Sequence, residues 1–106
     1  MPNADASADQ DRADARLLRM LAAVHLRFGR LDRAQAFLGL AQHVAPEDTA
    51  VATLRAVLAL RTGDADRALD LLPDEARCGD DPKGAPARAV LRLRIEALRR
   101  AASRGP

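Results

Sequence analysis

The sequence predicts an all-α protein assembled from helical hairpins, and three observations carry that expectation. Hydrophobic residues make up 48% of the chain, mostly Ala, Leu and Val, and Phe28 and Phe37 are its aromatic residues. Ala and Leu favour helix, and β-branched residues are few. Through residues 17–46 the apolar positions recur at spacings of three and four, interrupted at Gly29, the pattern of two amphipathic helices. That stretch is then repeated. Arg27-Phe28-Gly29-Arg30-Leu31-Asp32-Arg33-Ala34 aligns with Arg61-Thr62-Gly63-Asp64-Ala65-Asp66-Arg67-Ala68, and the offset from Gly29 to Gly63 is 63 − 29 = 34. Helix–turn–helix units at that period stack so that each buries its apolar face on its neighbours.

A chain of 106 residues suggests one domain with a modest core. The 17 basic and 15 acidic side chains nearly cancel, leaving a net charge of +2. Lys83 is the single lysine and the other basic side chains are arginines, a bias of composition rather than the basic stripe or reading helix of a nucleic-acid surface. Nucleic-acid binding through the last helix is therefore a distant third reading, and one that a salt titration tests. One cysteine, Cys78, leaves no internal disulfide framework. No apolar run reaches the roughly 20 residues of a membrane span. The N-terminus lacks a basic region followed by an apolar one, so no signal peptide is expected, and a cytoplasmic location follows. Residues 1–8, small and acidic, are expected to be disordered, and residues 9–104 to form the helical domain.

The first helix is expected to start near Asp9 to Asp11, where carboxylates favour the positive end of the dipole. Leu17, Leu18, Leu21, Val24, His25 and Phe28 form its expected buried stripe, and Gly29 ends it. The second helix runs from about Leu31 to Val44, with Leu31, Ala34, Phe37, Leu38 and Ala41 inward; Pro46 stops it. Ala34 is small because two helices approach closely there. A third helix, capped by Asp48, covers about Thr49 to Arg61. Gly63 closes it, and a shorter fourth helix follows from Ala65 to about Leu72. Cys78 to Ala85 reads as a loop. Pro86 suits the first turn of a fifth helix that extends to about Ala102. Val90, Leu91, Leu93, Ile95 and Leu98 are its apolar residues, with arginines at 88, 92, 94, 99, 100 and 104 over the rest.

These units resemble tetratricopeptide repeats. In the first unit Leu18, Leu21, Ala22, His25, Ala34, Leu38 and Pro46 stand at the pattern's positions, with Leu18, His25 and Leu38 in place of aromatics. In the second, Ala56, Gly63, Ala68 and Leu72 match, while Ala52, Arg55 and Ala59 lack the usual bulk and Asp80 stands where a closing proline is expected. The fifth helix is either a third first-helix or a cap. The resemblance implies about two repeat units plus a C-terminal helix, and a concave face that binds protein. Residues 17–72 also resemble the small YscY-type chaperones of bacterial type III secretion. That likeness implies a cytosolic chaperone that holds an export-apparatus component or secretion substrate.

The repeat architecture assigns the concave groove to Arg16, Arg19, Ala23, Leu26 and Arg27 in the first unit, and to Ala50, Thr53, Val57, Leu60 and Arg61 in the second. Leu26, Val57 and Leu60 would form an apolar floor ringed by arginine, suited to an amphipathic segment bearing acidic residues. The competing expectation is that the fifth helix or the N-terminal arm fills the groove. The alternative function is a homo-oligomeric scaffold whose exposed repeat end pairs with a second copy, a homodimer included. His25 reads as a packed histidine rather than a ligand. Cys78 has no histidine partner, and no residues stand at metal-ligand spacing. No acid–base pair, nucleophile arrangement or phosphate loop is visible, so neither enzyme activity nor a cofactor is expected.

Overall fold

The computed structural model describes residues 4–79 and 81–104. Five helices follow one another: α1 (Ala4–Arg27), α2 (Leu31–Val44), α3 (Thr49–Arg61), α4 (Ala65–Leu71) and α5 (Ala85–Ser103), with short 3-10 turns at Glu75–Cys78 and Pro82–Gly84. No strand occurs among the described residues. The first helix begins earlier than expected. Ala4 to Ala8 are helical, and the expected disorder of residues 1–3 lies outside the described residues.

The repeat period is legible bond by bond. Arg30 N donates to His25 O at 2.8 Å, and one period later Asp64 N donates to Ala59 O at 2.9 Å. Gly29 N bonds Leu26 O and Gly63 N bonds Leu60 O, both at 3.1 Å. These closures satisfy helix-end carbonyls, and they require a left-handed residue at the turn. Gly29 has φ +73 and Gly63 has φ +87. The start of α3 is fixed by its cap, where Asp48 Oδ1 accepts from Ala50 N at 2.9 Å and Val51 N at 3.2 Å. Asp64 caps α4 in the same way, accepting from Arg67 N at 3.0 Å.

Two apolar clusters form the core. In the first, Ala22 of α1, Leu38 and Ala41 of α2 and Val51 of α3 meet, with Leu18, Phe37, Leu54 and Leu58 at its margin. In the second, Ala56 and Ala59 of α3, Ala68 of α4, Leu72, and Leu91 and Ile95 of α5 meet. Repeat-equivalent residues share one environment: Ala22 and Ala56 are both fully buried, as are Ala34 and Ala68. Alanine at these sites lets each pair of helices approach without a methylene to spare. His25 stacks on Phe37, ring centroids 5.3 Å apart, as the aromatic position of the repeat predicts.

The expected buried stripe of α1 is corrected in part: Leu18 and His25 pack against the core and Phe37, but the other four residues do not. Ala15, Ala22 and Leu26 face the core, whereas Leu17, Leu21, Val24 and Phe28 are exposed, Phe28 at 69%. At about 100° per residue the two sets lie on different sides of the helix. The small residues turn inward because α2 packs close, and no earlier hairpin covers the larger ones among the described residues. On α5 a similar division holds. Leu91 and Ile95 pack inward, while Val90, Leu93 and Leu98 are exposed.

Candidate protein-binding groove

An apolar cavity of about 310 Å³ opens between α1, α3 and α5. Its lining follows the repeat. Arg19, Thr53 and Ala87 stand at successive intervals of one period, as do Met20, Leu54 and Arg88, and all six line it. Ala23 and Ala50 complete the floor, and Gly84 with Asp81 closes one end. The three helices that contribute are the first helix of each successive unit, so α5 takes the first-helix place of a third unit. It covers Val57 and Leu60, two residues of the expected floor, as the competing expectation had it, and supplies one wall of this cavity.

Three of the expected groove residues change role. Leu26 is 4% exposed and belongs to the core, not the floor. Val57 and Leu60 are half-buried against the second apolar cluster, where α5 docks. Each lies on the α3 face that meets the following unit, so α5 takes the surface that the groove reading had left open. The floor consists instead of Met20, Ala23, Ala50, Thr53 and Leu54. Arg16 lies beside this cavity in an adjoining polar hollow with Arg12, Glu47 and Thr49. Arg19 borders both hollows and donates to Asp48 Oδ2 at 3.2 Å, which ties α1 to the cap of α3. Arg27 and Arg61 are exposed at the other end of their helices. Among the described residues Arg16, Arg27 and Arg61 pair with no carboxylate.

The feature least visible in the sequence is Arg88. Expected on the surface of the last helix, its side chain is 3% exposed. Its Nε donates to Glu75 Oε2 at 2.8 Å and its Nη2 to Glu75 Oε1 at 3.0 Å. Nη1 reaches Asp81 Oδ2 at 3.1 Å, and Nη2 also reaches the Asp81 carbonyl at 3.0 Å. A planar guanidinium buried with its donors satisfied in this way holds two chain segments in register. The hydrogen bonds that Arg88 donates keep the Glu75 carboxyl below its ordinary range, and accepting them at Glu75 raises the guanidinium higher still, against the opposing effect of burial. Gly84 makes room for this arrangement, since a Cβ there would sit 2.5 Å from Arg88 Nη1 and 2.6 Å from Asp81 Oδ2. The period does not mark Arg88 as buried, because Met20 at the equivalent position is exposed and Leu54 only half-buried.

Other arginines of α5 are also engaged. Arg92 Nη2 donates to Pro73 O at 3.3 Å, and Arg99 Nε to Asp66 Oδ1 at 2.7 Å. Cys78 is buried at 2% exposure. No cluster of potential metal ligands occurs among the described residues, and no helix there is long and apolar enough to cross a membrane.

Stacked helical hairpins with an apolar groove along their first helices define a helical-repeat module. A model of the tetratricopeptide repeat family matches residues 2–58, and the chain belongs to that family. The match spans α1, α2 and most of α3, the better-formed part of the repeat. No curated protein and no solved structure matches the chain significantly. Tetratricopeptide repeats mediate protein–protein interaction.

Proposed function

We propose that the chain is a non-enzymatic adaptor or chaperone that holds a short segment of a partner protein in the groove between α1, α3 and α5. The observation that carries this reading is the cavity lined by equivalent positions of three successive units. A surface built by repetition from Met20, Ala23, Thr53, Leu54 and Ala87 is open, apolar and sized for side chains of a helix or extended strand. Arg16, with no carboxylate partner among the described residues, favours acidic residues flanking the partner's apolar anchors. Such a charge steers the encounter and sets register more than it adds affinity. Arg16, Arg19, Ala23 and Thr53 keep their proposed groove role; Arg27 and Arg61 would extend it toward the opposite end.

The resemblance of residues 17–72 to YscY-type proteins supports a narrower reading. In it the chain is a cytoplasmic type III secretion chaperone, and the held segment belongs to an export-apparatus component or secretion substrate. The competing reading is a homo-oligomeric scaffold without chaperone activity, in which the groove itself is the contact between copies. Fluorescence anisotropy separates the two. A labelled amphipathic peptide with glutamates on its polar face should bind the wild type and lose affinity in Ala23→Glu. Failure of every such peptide to bind, together with a dimer that Ala23→Glu dissolves, would favour the scaffold.

A further inference from the structure

α1 has three faces. One packs into the core through Ala15, Ala22 and Leu26, and a second borders the groove through Arg16, Arg19 and Ala23. The third presents Leu17, Met20, Leu21 and Val24, continued by Phe28 just past the helix end, each between 36% and 69% exposed. The repeat shows what that third face is for. Val51, Leu54 and Leu58, one period after Leu17, Met20 and Val24, belong to the apolar cluster that joins α3 to the preceding hairpin. In α3 these positions are docked; in α1 no neighbour covers them among the described residues.

We propose that a second copy of this chain covers the face, the two α1 helices crossing antiparallel about a two-fold axis. Charge selects that occupant and that direction. Asp9, Asp11 and Asp14 outnumber Arg12 in the first half of α1, and Arg16, Arg19 and Arg27 lie in the second. The offset from Asp9 to Arg27 is 27 − 9 = 18, which is five whole helical turns, so the two lie on one flank of the stripe. An antiparallel crossing midway between Leu17 and Met20 brings Asp9 of each copy beside Arg27 of the other. It sets Val24 over the small, exposed Ala13. A parallel pairing would stack like charges instead. Within one chain Asp9 pairs with Arg12, both largely exposed, a contact weak enough to yield. Covering the stripe on both copies removes roughly 1,000 Å² of surface, the size at which specific interfaces begin. A two-fold contact of this kind is self-complementary and closes at two copies. Met20 and Arg27 mark the edge shared with the groove, and Leu17, Leu21, Val24 and Phe28 point away from it, so the dimer would leave the cavity between α1, α3 and α5 open on each copy.

Sedimentation velocity of the full chain across the micromolar range tests this. A monomer–dimer equilibrium is expected, and Val24→Glu should weaken it at least about tenfold with an unchanged far-ultraviolet circular dichroism spectrum. Asp9→Arg and Arg27→Asp, both at exposed positions, should each weaken the dimer, and the two together should restore it. A monomer at every concentration would overturn the proposal. So would a dimer indifferent to either single charge reversal, which is the parallel case. A concentration-dependent ladder of species abolished by Leu93→Glu would overturn it too, because that result assigns the contact to α5.

Discussion

The Arg88 guanidinium meets the Glu75 carboxylate side by side, at 2.8 and 3.0 Å, and joins two segments 13 residues apart. That pair fastens the start of α5 to the turn after α4, and so fixes the third wall of the groove. It also makes the wall sensitive to acid. A carboxyl whose folded pKa lies below its unfolded value stabilises the fold above the unfolded pKa, and the stabilisation is lost as pH falls through the folded pKa.

Acidification below the ordinary carboxylate range should therefore loosen α5. Amide hydrogen exchange in residues 85–95 should rise there as pH is lowered, after correction for intrinsic rates. Glu75→Gln should exchange faster at neutral pH and show a flatter pH dependence. Arg88→Met should lower the melting temperature and release the same segment, because it leaves Glu75 and Asp81 without their donor. Unchanged exchange in both variants would remove the pair from the account.

Two glycines make opposite predictions. Gly63 holds φ +87 in the α3–α4 turn, so Gly63→Ala should destabilise by about 1–2 kcal/mol, the cost of a left-handed non-glycine residue. Gly39 lies within α2, where a Cβ would meet nothing within 4 Å. Gly39→Ala should stabilise by about 0.5–1 kcal/mol through helix propensity. Urea denaturation of both variants reads the sign directly.

Ala34 and Ala68 are both fully buried, where each hairpin closes on itself. Ala68→Leu should overpack the second unit at a cost of about 1–3 kcal/mol, and Ile95→Ala should remove about 2–5 kcal/mol by opening a cavity where α5 docks. An Ala68→Leu variant as stable as the wild type in thermal melts would show that the helices are not in close approach there.

Much of this architecture is readable from local chemistry. Gly29, Gly63 and Asp48 do their work within a few residues of themselves, through backbone conformation or a cap, so their positions mark helix ends wherever they occur. The period between the glycines then places the alanines of the two hairpins in equivalent environments. The side of α1 that turns inward is a different matter. Leu17 and Leu26 are equally apolar, and α2 selects between them through the close approach that Ala15 and Ala22 allow. Arg88 shows the same limit more sharply. An arginine in a basic helix reads as solvated, and only the fold brings Glu75 and Asp81 to it from a loop with no repeat signal. For the same reason Val57 and Leu60 read as groove floor until α5 is seen to cover them, and Met20 and Leu54 then take their place.

The groove is tested most directly by differential co-purification from the native host, with the captured proteins identified by mass spectrometry. Wild type, Ala23→Trp, which fills the cavity, and Val24→Glu, which alters the outer face of the same helix, should be compared. One partner should be retained by the wild type and by Val24→Glu and lost from Ala23→Trp. The same partner held equally by a folded Ala23→Trp would show that the space between α1, α3 and α5 is not where this protein binds another.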